Sequence, residues 1–250
     1  IVPIWRGGLY SNDLYKSTTS YFEKLGGEVE EGINYKPYTG KFATSLHRIN
    51  FLMWNQELER LNAIVSDAVK KYGANSVAVC IISFDEITPI LIQSTLYENL
   101  GKVRWYGADK IAQNHQITKN IDAALFAMKT HLSNPLYSID SESKKLHDLK
   151  EVLEKQLHEV GSITYPAIAY DSYWIAALSL DKNSTINSDK GTLTKSYKEL
   201  VVETVESFEG MSGQIKLNKA GDRIGGNYDF WTVGKDDETQ SYKWKKGDNS

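Results

Sequence analysis

The chain has one cysteine, so no disulfide can form within it. That residue, Cys80, sits in the apolar run VAVCII, where a buried, inert thiol is favoured because a nucleophile needs exposure and an electropositive setting. No apolar stretch reaches the ~20 residues that span a bilayer. Histidine is scarce too. His47, His115, His131, His147 and His158 show neither HExxH nor i, i+4 pairing, and HEVG at His158 is half a zincin motif, so no metal is expected. GxSxG, GxGxxG and GKS/GKT are all missing, which removes the usual marks of acyl transfer, dinucleotide binding and P-loop chemistry. Gly7-Gly8 before a helix reads as a tight turn. Lysine and arginine total 29 against 32 acidic residues, for a net charge of -3, with the signs well mixed. Without a basic stripe, nucleic acid is not expected as a partner.

What is present is an ordinary globular composition, 250 residues with 41% hydrophobic, enough for one or two cores. The first half alternates. Val2 to Trp5 reads as a strand, Ser11 to Leu25 as a helix stopped by Gly26-Gly27, EVEEGINYKP as a strand, and Phe42 to Tyr72 as a long helical region with a break near Asn55. Ser76 to Phe84 has the unbroken β-rich pattern of a strand buried on both faces, Thr88 to Leu100 is helical, and Lys102 to Tyr106 is a further strand. This order predicts an α/β fold with an open, mostly parallel sheet and right-handed crossovers.

The texture changes after residue 130. SNPLYSIDSESKK reads as a polar connection, and LHDLKEVLEKQLHEVG as a charged amphipathic helix. YPAIAYDSYWIAALSL is an apolar helix opened by Asp171 or Ser172 as cap, KNSTINSDKG a surface loop with an NST acceptor at Asn183, and KSYKELVVETVESF another helix. GQIKLNKAGDRIGGNYDFWTV suggests two short strands around a Gly-Asp turn, and the polar end is expected to fray. The segmentation is therefore 1–130 as an α/β domain, 131–210 as a helical segment, 211–233 as closing strands and 234–250 as a polar tail. IVPIW opens directly as a core strand with no polar approach, and the expectation is that further sequence precedes it.

Ligands of open α/β sheets bind beyond the carboxyl ends of the strands. Those ends carry Arg6 and Tyr10 after the first strand, Phe84, Asp85 and Glu86 after the third, and Asp109 after the fourth. Carboxylates there suit an ammonium group, and the rings suit an apolar or cationic moiety. Asp85 and Glu86 could equally open the helix that follows, favoured by its dipole, and Asp109 could cap a short helix.

The succession LYSNDLYKSTTSYFEKLGGEVEEGINYKPYTGKF, VAVCIISFDEITPIL, VRWYGADKIAQN, YPAIAYDSYWIAALSL and FEGMSGQIKLNKAGDRIGGNYDFWTV resembles the type I periplasmic binding proteins. Within them it resembles the branched-chain amino-acid (Leu/Ile/Val) receptors of ABC importers. The resemblance implies two α/β lobes closing by a hinge over a small amino-acid-like ligand, with no cofactor and no reaction catalysed. It implies an extracytoplasmic location, membrane anchoring and a permease as partner. It places the chain's start at the second lobe, with ~120 residues of the first lobe missing and the helices between Leu136 and Phe208 returning to that lobe. Exposed apolar faces would then favour a homodimer. By the same resemblance Tyr10 contacts the ligand, Asp109 takes its α-ammonium group, and Phe84, Asp85 and Glu86 face the cleft. A ligand-sensing receptor domain of the same fold, or a nucleotide-sugar enzyme on a doubly wound sheet, are the alternatives.

Overall fold

The computed structural model describes residues 1–36, 54–140, 142–157, 161–187 and 195–247, with backbone alone over 183–187. The chain divides into two units, Ile1–Leu136 with Asp229–Ser250, and Tyr137–Tyr228.

The first unit is built on a seven-stranded sheet. Its strands are β1 (Val2–Arg6), β2 (Ile33–Tyr35), β3 (Ala78–Ile82), β4 (Arg104–Gly107), β5 (Ser133–Tyr137), β8 (Tyr228–Lys235) and β9 (Tyr242–Lys246). They lie in the order β2-β1-β3-β4-β5-β8-β9. The first five are parallel neighbours, and β8 and β9 form an antiparallel hairpin. Ile4, Val79, Ile81 and Trp105 have no exposed surface, as expected for strands covered on both faces. The helices are α1 (Leu9–Lys24), α2 (Asn55–Tyr72), α3 (Ile87–Ser94), α4 (His115–Lys119) and α5 (Ile121–Lys129). Helix α2 turns Leu58, Leu61, Val65 and Ala68 inward, spacings of three, four and three that keep one face on the sheet. Trp105 anchors the core by an edge contact with Phe126 at 5.3 Å and by donating from Nε1 to Leu100 O at 2.9 Å. The α/β reading with a mostly parallel, helix-flanked sheet is what the structure shows. The part of the expected helix before Trp54 lies outside the described residues.

Several local expectations are corrected. SNPLY is a strand and not a connection: Asn134 and Leu136 alternate inward, a period that one proline and two small polar residues obscure in the sequence. The polar end does not fray through Gly247. Tyr242 and Trp244 alternate with lysines and pack on the core, and Trp244 Nε1 donates to Asn114 O at 3.0 Å. The described part of KNSTINSDKG, through Asn187, continues a helix and is not a loop. EVEEGINYKP contributes three strand residues, Ile33–Tyr35.

The second unit holds α6 (Lys144–Leu157), α7 (Thr164–Asn187), α8 (Tyr197–Ser207) and the hairpin of β6 (Glu209–Gly210) and β7 (Gly213–Gln214). Ser196 and Glu199 close α8 reciprocally in a capping box. Asp171 does not cap α7. It lies inside the helix, 1% exposed, and accepts from the Met211 and Ser212 N–H groups at 2.7 and 2.8 Å and from Ser212 Oγ at 2.5 Å. The turn between β6 and β7 is thus pinned to a buried carboxylate. Gly210 is needed for that approach, since a Cβ there would lie 2.3 Å from Asp171 Oδ2. Arg223 extends the node by donating to Ser212 Oγ and to the Ser212 and Gln214 carbonyls, with its guanidinium 4.3 Å over the Tyr137 ring.

Candidate functional site

The chain order of the sheet locates the site. From β1 the chain runs through α1 to β2 on one side, and then returns past β1 to β3 on the other, so the crossovers diverge between β1 and β3. A crevice forms beyond the carboxyl ends of strands at such a switch point, because the two loops leave in opposite directions. Arg6 ends β1, and Ser83 to Glu86 follow β3.

Six side chains form a continuous row across those ends. Tyr10, in the first turn of α1, donates its hydroxyl to Asp109 Oδ1 at 2.5 Å. The Tyr10 ring meets the Phe84 ring edge-on at 5.9 Å, and the Arg6 guanidinium lies 4.9 Å from the Phe84 centroid. Arg6 Nη1 reaches Glu86 Oε2 at 3.5 Å, and Tyr35 donates its hydroxyl to Glu86 Oε1 at 2.9 Å. The row therefore has an acid at Asp109, two rings, a guanidinium, a second acid and a buried phenol. Ends of β1, β2, β3 and β4 all contribute to it.

Each position has a local cause. Gly107 ends β4, and a Cβ there would sit 2.0 Å from Asn134 Oδ1, so a larger residue would displace Asn134 beside the 3-10 turn that begins with Asp109. The Lys110 N–H donates to Asp109 Oδ1 at 2.9 Å, which orients the carboxylate together with Tyr10. The Gly7 N–H donates to Tyr35 O at 2.6 Å, fixing the turn from β1 to α1 beside β2. Trp5 stacks on Tyr15 at 3.8 Å and donates to Asn12 Oδ1 at 3.0 Å, holding the first turns of α1 against the strand. Glu86 occupies the residue before α3, where the helix dipole favours a negative charge, yet its side chain makes no cap bond and turns to Arg6 and Tyr35.

Burial, reinforced by the neighbouring Glu86 carboxylate, holds the Tyr35 phenol well above the usual tyrosine range, so at neutral pH it is a fixed hydrogen-bond donor. Cys80 stands apart on β3, and desolvation pushes its thiol up to about 11.

Of the five residues named from the sequence, the row joins Tyr10, Phe84, Glu86 and Asp109. Asp85 is exposed and makes no hydrogen bond or ion pair within the described residues. One member, Tyr35, escaped the sequence reading of the site, and another, Arg6, was read there only as a polar group at a strand end. Arg6 was legible as a strand end but drew no role, because its partner lies 80 positions away. Tyr35 reads as an apolar strand residue, and its hydroxyl acquires meaning only when β2 is seen beside β1. Among the described residues no cluster of His, Cys, Asp and Glu suits a metal ion.

Comparison with known proteins places this geometry in context. The family described as the receptor family ligand binding region matches residues 9–236. An uncharacterized protein of Methanocaldococcus jannaschii is 25% identical over 244 residues, 94% of this chain and 53% of that protein. An ABC transporter substrate-binding protein from Desulfitobacterium hafniense superimposes with a TM-score of 0.57 at 17% identity, covering 98% of this chain and 60% of the other. One from Sphaerobacter thermophilus gives 0.59 at 12% identity, covering 99% and 59%. The chain spans about half the length of the curated relative it matches. By its sequence match, and with the fold those structures share, the chain belongs to the receptor-family ligand-binding region, the type I periplasmic-binding-protein family.

Proposed function

We propose that the row from Asp109 to Glu86 is one lip of a site for a small amino acid or close relative, within an extracytoplasmic substrate-binding protein that serves an ABC permease. The oriented Asp109 carboxylate beside the Tyr10 and Phe84 rings carries this reading. An α-ammonium group would lie on Asp109, and the rings would cover the carbon chain. The substrate-binding character of the two structural neighbours supports the transport role. The family's description as a receptor region favours one alternative, a sensing domain of the same fold. No reaction is proposed.

The closing of a two-lobed protein over the ligand would exclude water and strengthen each polar contact. The branched-chain preference implied by resemblance is not carried forward, because nothing about the row selects an aliphatic side chain. Calorimetric titration of the full-length gene product with a panel of amino acids tests the proposal. Saturable binding that is lost on Asp109→Ala is expected; affinity untouched by that change would remove Asp109 from the site.

A further inference from the structure

We propose that Arg6 is a specificity residue, selecting an amino acid whose side chain ends in a carbonyl or carboxylate oxygen. The inference rests on the reading of Asp109 as the ammonium site and extends it to the other end of the row.

The position of Arg6 is set by β1 and by Phe84. Its guanidinium lies 4.9 Å from the Phe84 centroid, so the ring supports one face of the group. Its one hydrogen bond among the described residues is the 3.5 Å contact with Glu86 Oε2. A guanidinium has five N–H donors in a fixed fork, so most of them make no hydrogen bond among the described residues. The Arg6 side chain is 34% exposed, twice the 17% of Glu86, whose other oxygen is occupied by Tyr35. Glu86 is therefore the seated partner and Arg6 the open one.

This geometry decides between ligand classes. With the ammonium group on Asp109, a ligand's side chain runs over the Tyr10 and Phe84 rings toward Arg6. An aliphatic end would strip water from the N–H fork and return no hydrogen bond. A terminal oxygen would replace that water with charge-assisted bonds. Sites built to hydrogen-bond a ligand group discriminate strongly against analogues that lack it, and for a partly exposed donor a difference of ~10-fold or more is expected.

The test is titration of the full-length gene product with L-glutamine, L-glutamate and L-norleucine, repeated with Arg6→Met. One of the two oxygen-bearing ligands should bind at least about tenfold tighter than norleucine, and Arg6→Met should bring that ratio close to one. Glutamine against glutamate then separates a neutral acceptor from a charged one. Norleucine binding as tightly as both, or a ratio that survives Arg6→Met, overturns the proposal. If Arg6→Met does not fold, Arg6→Leu gives the same readout. Loss of all binding on Asp109→Ala alongside an unchanged ratio on Arg6→Met defeats this inference alone, and no saturable binding by any of the three defeats the amino-acid reading with it.

Discussion

The two units solve the problem of holding a chain together in different ways. The first buries a continuous apolar core between sheet and helices, running from Val2 and Ile4 through Leu58, Leu61 and Ile81 to Trp105 and Phe126. Among the described residues the second has a smaller apolar cluster, Ile175, Val205 and Ile215 with Val201, Phe208 and Leu217 packed on it, while Tyr173 is 77% exposed and Leu180 56% exposed. Directed polar contacts add to its cohesion: Asp171 on the β6–β7 turn, Ser179 Oγ bonded to Thr204 Oγ1 at 3.2 Å between α7 and α8, and Arg223 on Ser212. A groove of about 580 Å³ between α6 and α7, lined by Val152, Tyr170 and Trp174, remains open. Hydrophobic burial makes the first unit tolerant of its polar site; reliance on a few directed hydrogen bonds leaves the second dependent on individual atoms.

Substitutions can break this contrast, beginning with the largest effect. Asp171→Ala orphans three donors around a buried turn, each worth ~1–3 kcal/mol, and should cost the second unit about 4 kcal/mol. Hydrogen exchange would show faster opening across 164–228 with 1–136 unmoved; equal acceleration of both units would dissolve the distinction. Leu61→Ala leaves a cavity at a position with no exposed surface and should cost about 3 kcal/mol, read in the exchange of β1 and β3 and not in α8.

A smaller effect is expected at Tyr35→Phe, about 1 kcal/mol for the lost bond to Glu86. Its sign with pH is a sharper reading. The folded phenol titrates above the unfolded one, so its contribution is intact below the unfolded pKa of ~10 and declines as pH rises beyond it. Denaturant curves taken on either side of that value should show a steeper loss for the wild type than for Tyr35→Phe. Least of all, Tyr173→Ser should shift stability by less than ~0.5 kcal/mol, because the ring is already exposed. Sedimentation is the informative measurement there: reduced self-association would make the exposed face of α7 a contact between copies, and no change would exclude Tyr173 from one.

The same contrast explains what could be read from the sequence. Strands β1, β3 and β4 and the helices of the first unit announce themselves through apolar runs and helical spacing, because burial drives both pattern and fold. The strand ends followed from that order, and with them Tyr10, Phe84, Glu86 and Asp109. Resemblance to a family supplied the roles, which spacing alone does not contain. What stayed hidden depends on partners distant in sequence. Asp171 looks like a helix cap until the turn 40 residues later is seen to need its carboxylate. Arg6 and Tyr35 meet through Glu86, and β5 is disguised by Pro135.

The β8–β9 hairpin has a bearing on handling as well as on folding. A sheet ending at β5 would offer a bare row of amide and carbonyl groups to any passing chain. Here the outermost strand carries Lys243, Lys245 and Lys246, and the opposite margin, β2, is only three residues long. Lysines along an edge strand disfavour the docking of a further strand, and a three-residue margin offers few bonds to recruit one. Edge-to-edge pairing of copies through these described strands is therefore disfavoured, and with it the growth of fibres by strand addition.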